Sequence, residues 1–115
     1  MSRRKQRKRA KVSAGYDRHH LLYYRREWDC GYKQLLRRAF VYEIPIEAHK
    51  KIHILAPGIP ALNEDEAQQL WRAYNANAGR EMSLYAAMEW LIANSPNDDF
   101  KHALMAEYAV IRYVL

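Results

Sequence analysis

The segment FVYEIPIEAHKKIHIL, residues 40–55, decides the fold that we expect for this chain. Its first five residues are rich in aromatic and β-branched side chains, which favour a short strand. Pro45 follows, and its fixed φ angle suits the first turn of a helix. We therefore predict a strand over 40–44 and a helix that begins at Pro45 and continues through Leu55. On such a helix His49 and His53 are four residues apart and lie on one face.

A second pair of histidines, His19 and His20, lies upstream in the segment YDRHHLLYYRREW, residues 16–28. Two histidines at a spacing of four on a helix can bind one transition metal. Adjacent residues of an extended segment point to opposite sides. One histidine of the upstream pair can therefore bind a metal while the other faces a substrate phosphate and acts as a general base on water. Alternatively, His19 and His20 are solvated residues of a basic segment, and the other pair belongs to an ordinary amphipathic helix.

The remaining sequence predicts a mainly α-helical, α+β domain with one short hairpin or strand pair. Residues 27–39 carry apolar side chains at helical spacing, and Pro57, Gly58 and Pro60 indicate a loop. Three further helices over residues 63–115 are expected to begin at the N-cap residues Asn63, Ser83 and Asn97, and Gly79 is expected to end the first of them. Their predicted apolar faces are Ala67, Leu70, Trp71, Tyr74 and Ala78; Leu84, Ala87, Met88, Leu91 and Ile92; and Phe100, Leu104, Tyr108, Ile111 and Leu115.

Charge is distributed very unevenly along the 115 residues, whose net charge is +6. Residues 1–38 carry 13 Lys/Arg and 3 Asp/Glu, whereas residues 39–115 carry 6 and 10. We predict a flexible basic arm over residues 1–15 and a single globular domain over 16–115, because the arm has too few apolar side chains to offset its ordering entropy. Such blocks of charge are typical of tails that bind polyanions.

Basic and aromatic side chains are interleaved after the arm, which favours nucleic acid as the partner, DNA or RNA. Cations neutralise phosphates, and tyrosines stack on unpaired bases. A solvated surface with a solubilising tail is the simpler alternative. The candidate contacts are Arg3, Arg4, Lys5, Arg7, Lys8, Arg9 and Lys11 in the arm, with Arg18, Tyr23, Tyr24, Arg25, Arg26, Lys33, Arg37 and Arg38 beyond it.

The sequence lacks the features of secreted and membrane proteins. It contains no run of 18 apolar residues, no apolar segment follows the basic N-terminus, and Cys30 has no second cysteine with which to form a disulfide. We therefore expect an intracellular, cytoplasmic protein. A zinc site with several thiolates is also excluded.

The segment RHHLLYYRR, the strand that ends at Pro45 and the segment PIEAHKKIH together resemble the ββα-metal motif of HNH endonucleases, over residues 17–56. The resemblance implies a small ββα-like N-terminal motif, which precedes the three helices that caps and apolar spacing predict over residues 63–115. It implies that His19 binds a divalent metal (Mg, Mn or Zn), that His20 is the general base, and that His53 and His49 bind or support the metal.

The chain departs from that family pattern at one position that matters for catalysis. An asparagine near the start of the second strand usually orients the general-base histidine, but the corresponding place is Phe40, and no Asn lies between His20 and His49. The expected function is therefore a small nucleic-acid-binding protein with an HNH-like metal site, which is either an active nuclease or inactive.

Two functions without catalysis are also compatible with the sequence. The chain has the size and charge of phage or mobile-element proteins that inhibit a ribonucleoprotein such as a CRISPR nuclease. It also fits a ribosomal or RNA-packaging accessory protein, which would need only the arm and the Arg/Tyr segment.

Overall fold

The computed structural model describes residues 14–22, 31–77 and 81–115 and shows an α+β, mostly helical fold, as predicted. The two strands of its one sheet are separated in sequence by a helix, and four more helices follow the second strand in the described chain. The elements are β1 (Tyr16–His20), α1 (Gly31–Ala39), β2 (Val41–Pro45), α2 (Ile46–Leu55), α3 (Glu64–Ala76), α4 (Leu84–Ala93) and α5 (Asp98–Val114). Most of the predicted arm lies outside the described residues.

Strands β1 and β2 pair in an antiparallel register in which His19 lies opposite Tyr42 and His20 opposite Val41. The ladder extends beyond the strands at both ends. The amide of Leu21 donates to the carbonyl of Phe40, and the amide of Ile46 donates to the carbonyl of Gly15, each at 3.0 Å. The second of these bonds joins the start of α2 to the residue before β1, so the pairing of the two strands fixes where that helix begins.

Pro45 plays a different part from the one predicted. It is the last residue of β2 and the N-cap of α2, with a ψ angle of 143°, and is not inside the first helical turn. The strand is accordingly shifted by one residue from the predicted range. The paired β1 strand holds Pro45 extended, which sequence spacing alone does not reveal.

The helix starts in the C-terminal part follow the predicted caps. Asn63 and Glu66 form a reciprocal capping box, and the side chains of Ser83 and Asn97 accept the amide hydrogens of Ala86 and Phe100. The predicted end of α3 at Gly79 is wrong, because the helix ends at Ala76. The predicted helix over 27–39 is described only from Gly31 onward.

One hydrophobic core joins the strand pair to all five helices of the described chain. Helix α1 packs on α3, α4 packs on α5, and α2 packs on both the strand pair and α5. On α5 Tyr108 packs partly buried against the core, as predicted, whereas Glu107 is buried without having been predicted and Leu115 is exposed. No helix among the described residues is long and apolar enough to cross a membrane.

Candidate metal centre

Three histidines from two elements converge where the strand pair meets α2. His19 comes from β1, and His49 and His53 come from one face of α2. One ring nitrogen of each can be chosen so that all three nitrogens lie within 4.8 Å of one another. The ring centroids are 4.5 Å apart for His49 and His53, 5.2 Å for His19 and His49, and 5.8 Å for His19 and His53. We refer to these three residues as the histidine cluster.

His19 is the buried member of the cluster, with only 3% of its surface exposed. Its Nε2 lies 3.1 Å from Oε2 of Glu107, a buried carboxylate on α5. A carboxylate only accepts hydrogen bonds, so Nε2 carries the hydrogen. The other nitrogen, Nδ1, is buried and has no hydrogen-bond partner among the described residues.

The two helix histidines lie nearer to solvent. Nδ1 of His49 lies 3.2 Å from the carboxylate of Asp17, a residue of β1, and Nε2 of His49 lies 2.9 Å from Nε2 of His53. Partial burial and the neighbouring imidazoles of His49 and His19 lower the pKa of His53. These effects favour the neutral imidazole, which is the form that binds metal ions.

The arrangement fits a transition-metal ion. A buried ring nitrogen with a free lone pair costs stability unless something binds it, and Nδ1 of His19 is such an atom. Metal-binding histidines commonly donate their other N–H to a carboxylate, as His19 does toward Glu107 and His49 toward Asp17. Tetrahedral zinc–nitrogen bonds of about 2.0–2.1 Å separate two ligand nitrogens by about 3.3 Å, so small side-chain rotations suffice. Imidazole donors favour zinc or another late transition ion over magnesium, which prefers oxygen.

His20 is not part of the cluster but lines the same cleft. This open cleft, of about 770 Å³, is bordered by His19, His20, His53 and Glu107 and by the loop of residues 56–60. Burial, followed by the charge of Arg37, lowers the pKa of His20 to about 4, so its ring is neutral at pH 7. No hydrogen bond from another described side chain fixes the orientation of that ring.

Few of the sequence-predicted nucleic-acid contacts can be placed. Arg18 and Arg37 lie close enough to His20 to lower its pKa by their charge, and Arg38 is exposed on α1. Lys33 is half-buried on the same helix and makes an interaction of its own. The other candidates lie outside the described residues: Arg3, Arg4, Lys5, Arg7, Lys8, Arg9, Lys11, Tyr23, Tyr24, Arg25 and Arg26.

Sequence reasoning did not identify Asp17 or Glu107 as part of the site. The position of Glu107 in the sequence nevertheless indicates burial, because it lies three residues after Leu104 and four before Ile111, within the apolar stripe of α5. A single carboxylate in such a stripe needs a buried partner. Asp17 left a weaker signal, as the residue two positions before His19 on the same face of a strand.

Comparison of the whole chain with protein-family models, with curated proteins and with solved structures finds no match. Function must therefore be inferred from the site.

Proposed function

We propose that this protein binds nucleic acid and cleaves it in a metal-dependent hydrolysis at the histidine cluster, in the manner of an HNH endonuclease. The observation that carries the proposal is the convergence of His19, His49 and His53, of which His19 and His53 line a cleft together with His20. Three protein ligands leave a fourth position for water or substrate, which distinguishes catalytic from structural zinc sites. Strand β1 supplies His19 and the helix after β2 supplies His49 and His53, which is the order expected from the ββα-metal resemblance.

The four histidines have distinct parts in the proposed reaction. His19, His49 and His53 would hold the ion, which when bound offsets the negative charge that develops on the phosphoryl oxygens. The neutral ring of His20 can accept a proton from the attacking water, provided that the substrate places the scissile phosphate within hydrogen-bond reach. Because its pKa is about 4, His20 stays available as an acceptor throughout the neutral pH range, although it is a weak base.

Cationic side chains next to His20 support a phosphodiester as the substrate. Arg18 belongs to β1, next to His19 in sequence, and Arg37 lies in the last turn of α1. Guanidinium groups bind phosphate in bidentate geometry and would hold the backbone beside the metal. The basic segment before residue 16 would add contacts that do not depend on base sequence.

A cleavage assay with matched variants tests the proposal. Supercoiled plasmid and a structured RNA are incubated with the protein and zinc, manganese or magnesium, beside the variants His20→Ala and His53→Ala. His102→Ala is the control, because His102 is exposed on α5 and lies outside the cluster. We expect cutting by wild type and the control, loss of cutting in both cleft variants, and retained zinc binding in His20→Ala.

Two results would contradict the proposed roles. Undiminished cutting by His20→Ala would remove this residue as the base. Cutting by neither wild type nor control, with retained salt-sensitive binding to nucleic acid, would point to a protein without catalysis.

A second candidate function has two observations in its favour. Phe40 stands where the HNH pattern has an asparagine, and it is buried with 1% of its surface exposed, so it offers no polar group to orient His20. The acidic first turns of α3 and α5 would repel DNA but suit a basic protein surface. A phage or mobile-element inhibitor of a ribonucleoprotein would combine these features, would bind without cutting and would tolerate His20→Ala.

A further inference from the structure

Glu107 is the only acidic residue that the described part of the chain buries, and it lies among apolar neighbours on α5. Phe100, Leu104 and Ile111 are the other buried residues of that helix. Placing a carboxylate there costs folding free energy unless a hydrogen bond or a charge compensates it. The group within hydrogen-bond distance is the imidazole of His19, 88 residues away in sequence. The C-terminal helix thus reaches into a site whose metal ligands all come from β1 and α2.

The contact between Glu107 and His19 selects one of the two neutral forms of the ring. Because the carboxylate accepts from Nε2, the hydrogen of the neutral ring resides on Nε2 and the lone pair resides on Nδ1. Nδ1 is the buried atom without a partner among the described residues. Without an acceptor at Nε2, the ring could exchange to the form with its hydrogen on Nδ1, in which that nitrogen cannot bind a metal.

We propose that Glu107 is a positioning residue of the metal site: its carboxylate holds His19 in the Nε2–H form, so that Nδ1 is the metal-binding atom. The proposal rests on the histidine cluster being the metal site of the proposed function. It makes α5 a necessary part of that site, since the strand pair and α2 alone would leave the position of the hydrogen on the His19 ring unfixed.

The distances favour this positioning role over direct ligation by Glu107. Among the described residues, the group whose ligand atoms lie within 4.8 Å of one another contains the three histidines and does not contain Glu107. The carboxylate therefore contacts His19 but lies outside the group of mutually close ligand atoms. Asp17 makes the equivalent contact to Nδ1 of His49, but 46% of its side chain is exposed, so water competes with it. We expect the buried contact to matter more.

The test combines a measurement on metal-free protein with a zinc titration. Long-range ¹⁵N–¹H NMR correlations identify which ring nitrogen of His19 carries the hydrogen, in wild type, Glu107→Gln and Glu107→Leu. Glu89→Gln is the control, because Glu89 is an exposed carboxylate on α4 that contacts Tyr108 and not the cluster. Circular dichroism establishes that each variant is folded, and Glu107→Gln serves alone if the leucine variant does not fold.

We expect His19 to be in the Nε2–H form in wild type and in Glu89→Gln. The Glu107 variants should show a mixture of both forms and a zinc Kd that is roughly 10–100-fold higher, the usual effect of removing a carboxylate behind a metal-binding histidine. A hydrogen on Nδ1 in wild type, or an unchanged zinc Kd in both Glu107 variants, would overturn the role of Glu107 while leaving the proposed function intact. Absence of zinc binding by wild type would overturn both.

Discussion

Removal of one cluster histidine should abolish most of the stabilisation that zinc gives to the folded protein. We choose His53→Ala because this side chain is exposed and contributes little to the core. The cluster joins β1 to α2, two elements that are far apart in an unfolded chain, so zinc should bind the folded state almost exclusively. Under that condition the added stability is RT ln(1 + [Zn]/Kd), or about 2.7 kcal/mol when free zinc is 100 times the Kd.

The corresponding change in melting temperature is large enough to measure. For a domain of about this size, 1 kcal/mol moves Tm by roughly 3–6 °C, so zinc should raise the Tm of wild type by about 8–16 °C. Loss of one of three ligands should raise the Kd by about 100-fold or more, the upper end of what even an indirect partner contributes. At the same zinc concentration the remaining stabilisation is then about 0.4 kcal/mol, a shift of about 1–2 °C.

The assay is thermal unfolding monitored by circular dichroism, with and without zinc. His102→Ala is the matched control, because it removes an exposed histidine from α5 and should keep the full zinc shift. Magnesium should shift neither protein, since it binds oxygen ligands. Equal zinc shifts in wild type and His53→Ala would refute the assignment of His53 as a ligand. Absence of a shift in wild type, with zinc in excess, would refute the site.

Two further predictions concern acid stability and the core. Burial and the charge of Arg37 lower the pKa of His20 from 6.5 to about 4, so between these pH values His20 takes up a proton in the unfolded chain but not in the folded protein. Wild type should therefore lose more unfolding free energy between pH 7 and pH 4 than His20→Gln does, as measured by urea unfolding. Equal losses in the two proteins would contradict the lowered pKa. The ring centroid of Phe40 lies 5.0 Å from that of Tyr74 and 6.2 Å from that of Trp90. Phe40→Ala should therefore lower the unfolding free energy by roughly 3–5 kcal/mol. Tyr113→Ala, at an exposed position, should lower it by less than about 0.5 kcal/mol in the same urea titration.

The starts of α3, α4 and α5 and the common face of His49 and His53 followed from the sequence because local interactions determine them. A cap such as Asn63 bonds to an amide only three residues away, and a spacing of four places two side chains on one face of any helix. Alternation of side chains along a strand also predicts that His19 and His20 point to opposite sides; in the structure His19 is buried and His20 is half-buried, and both line one cleft. These features require no knowledge of what packs against them.

The partners of those residues were decided by the tertiary structure. Pro45 is extended because β1 pairs with it, and Glu107 is buried because α5 packs on α2, where its carboxylate meets His19 from 88 residues away. Sequence periodicity shows which face of a helix is apolar, but not which other element covers that face or where a lone carboxylate in it will find a donor. The sequence identifies the histidines as candidate metal ligands, whereas the nitrogen of His19 that keeps its lone pair depends on a contact with Glu107 that exists only in the folded chain.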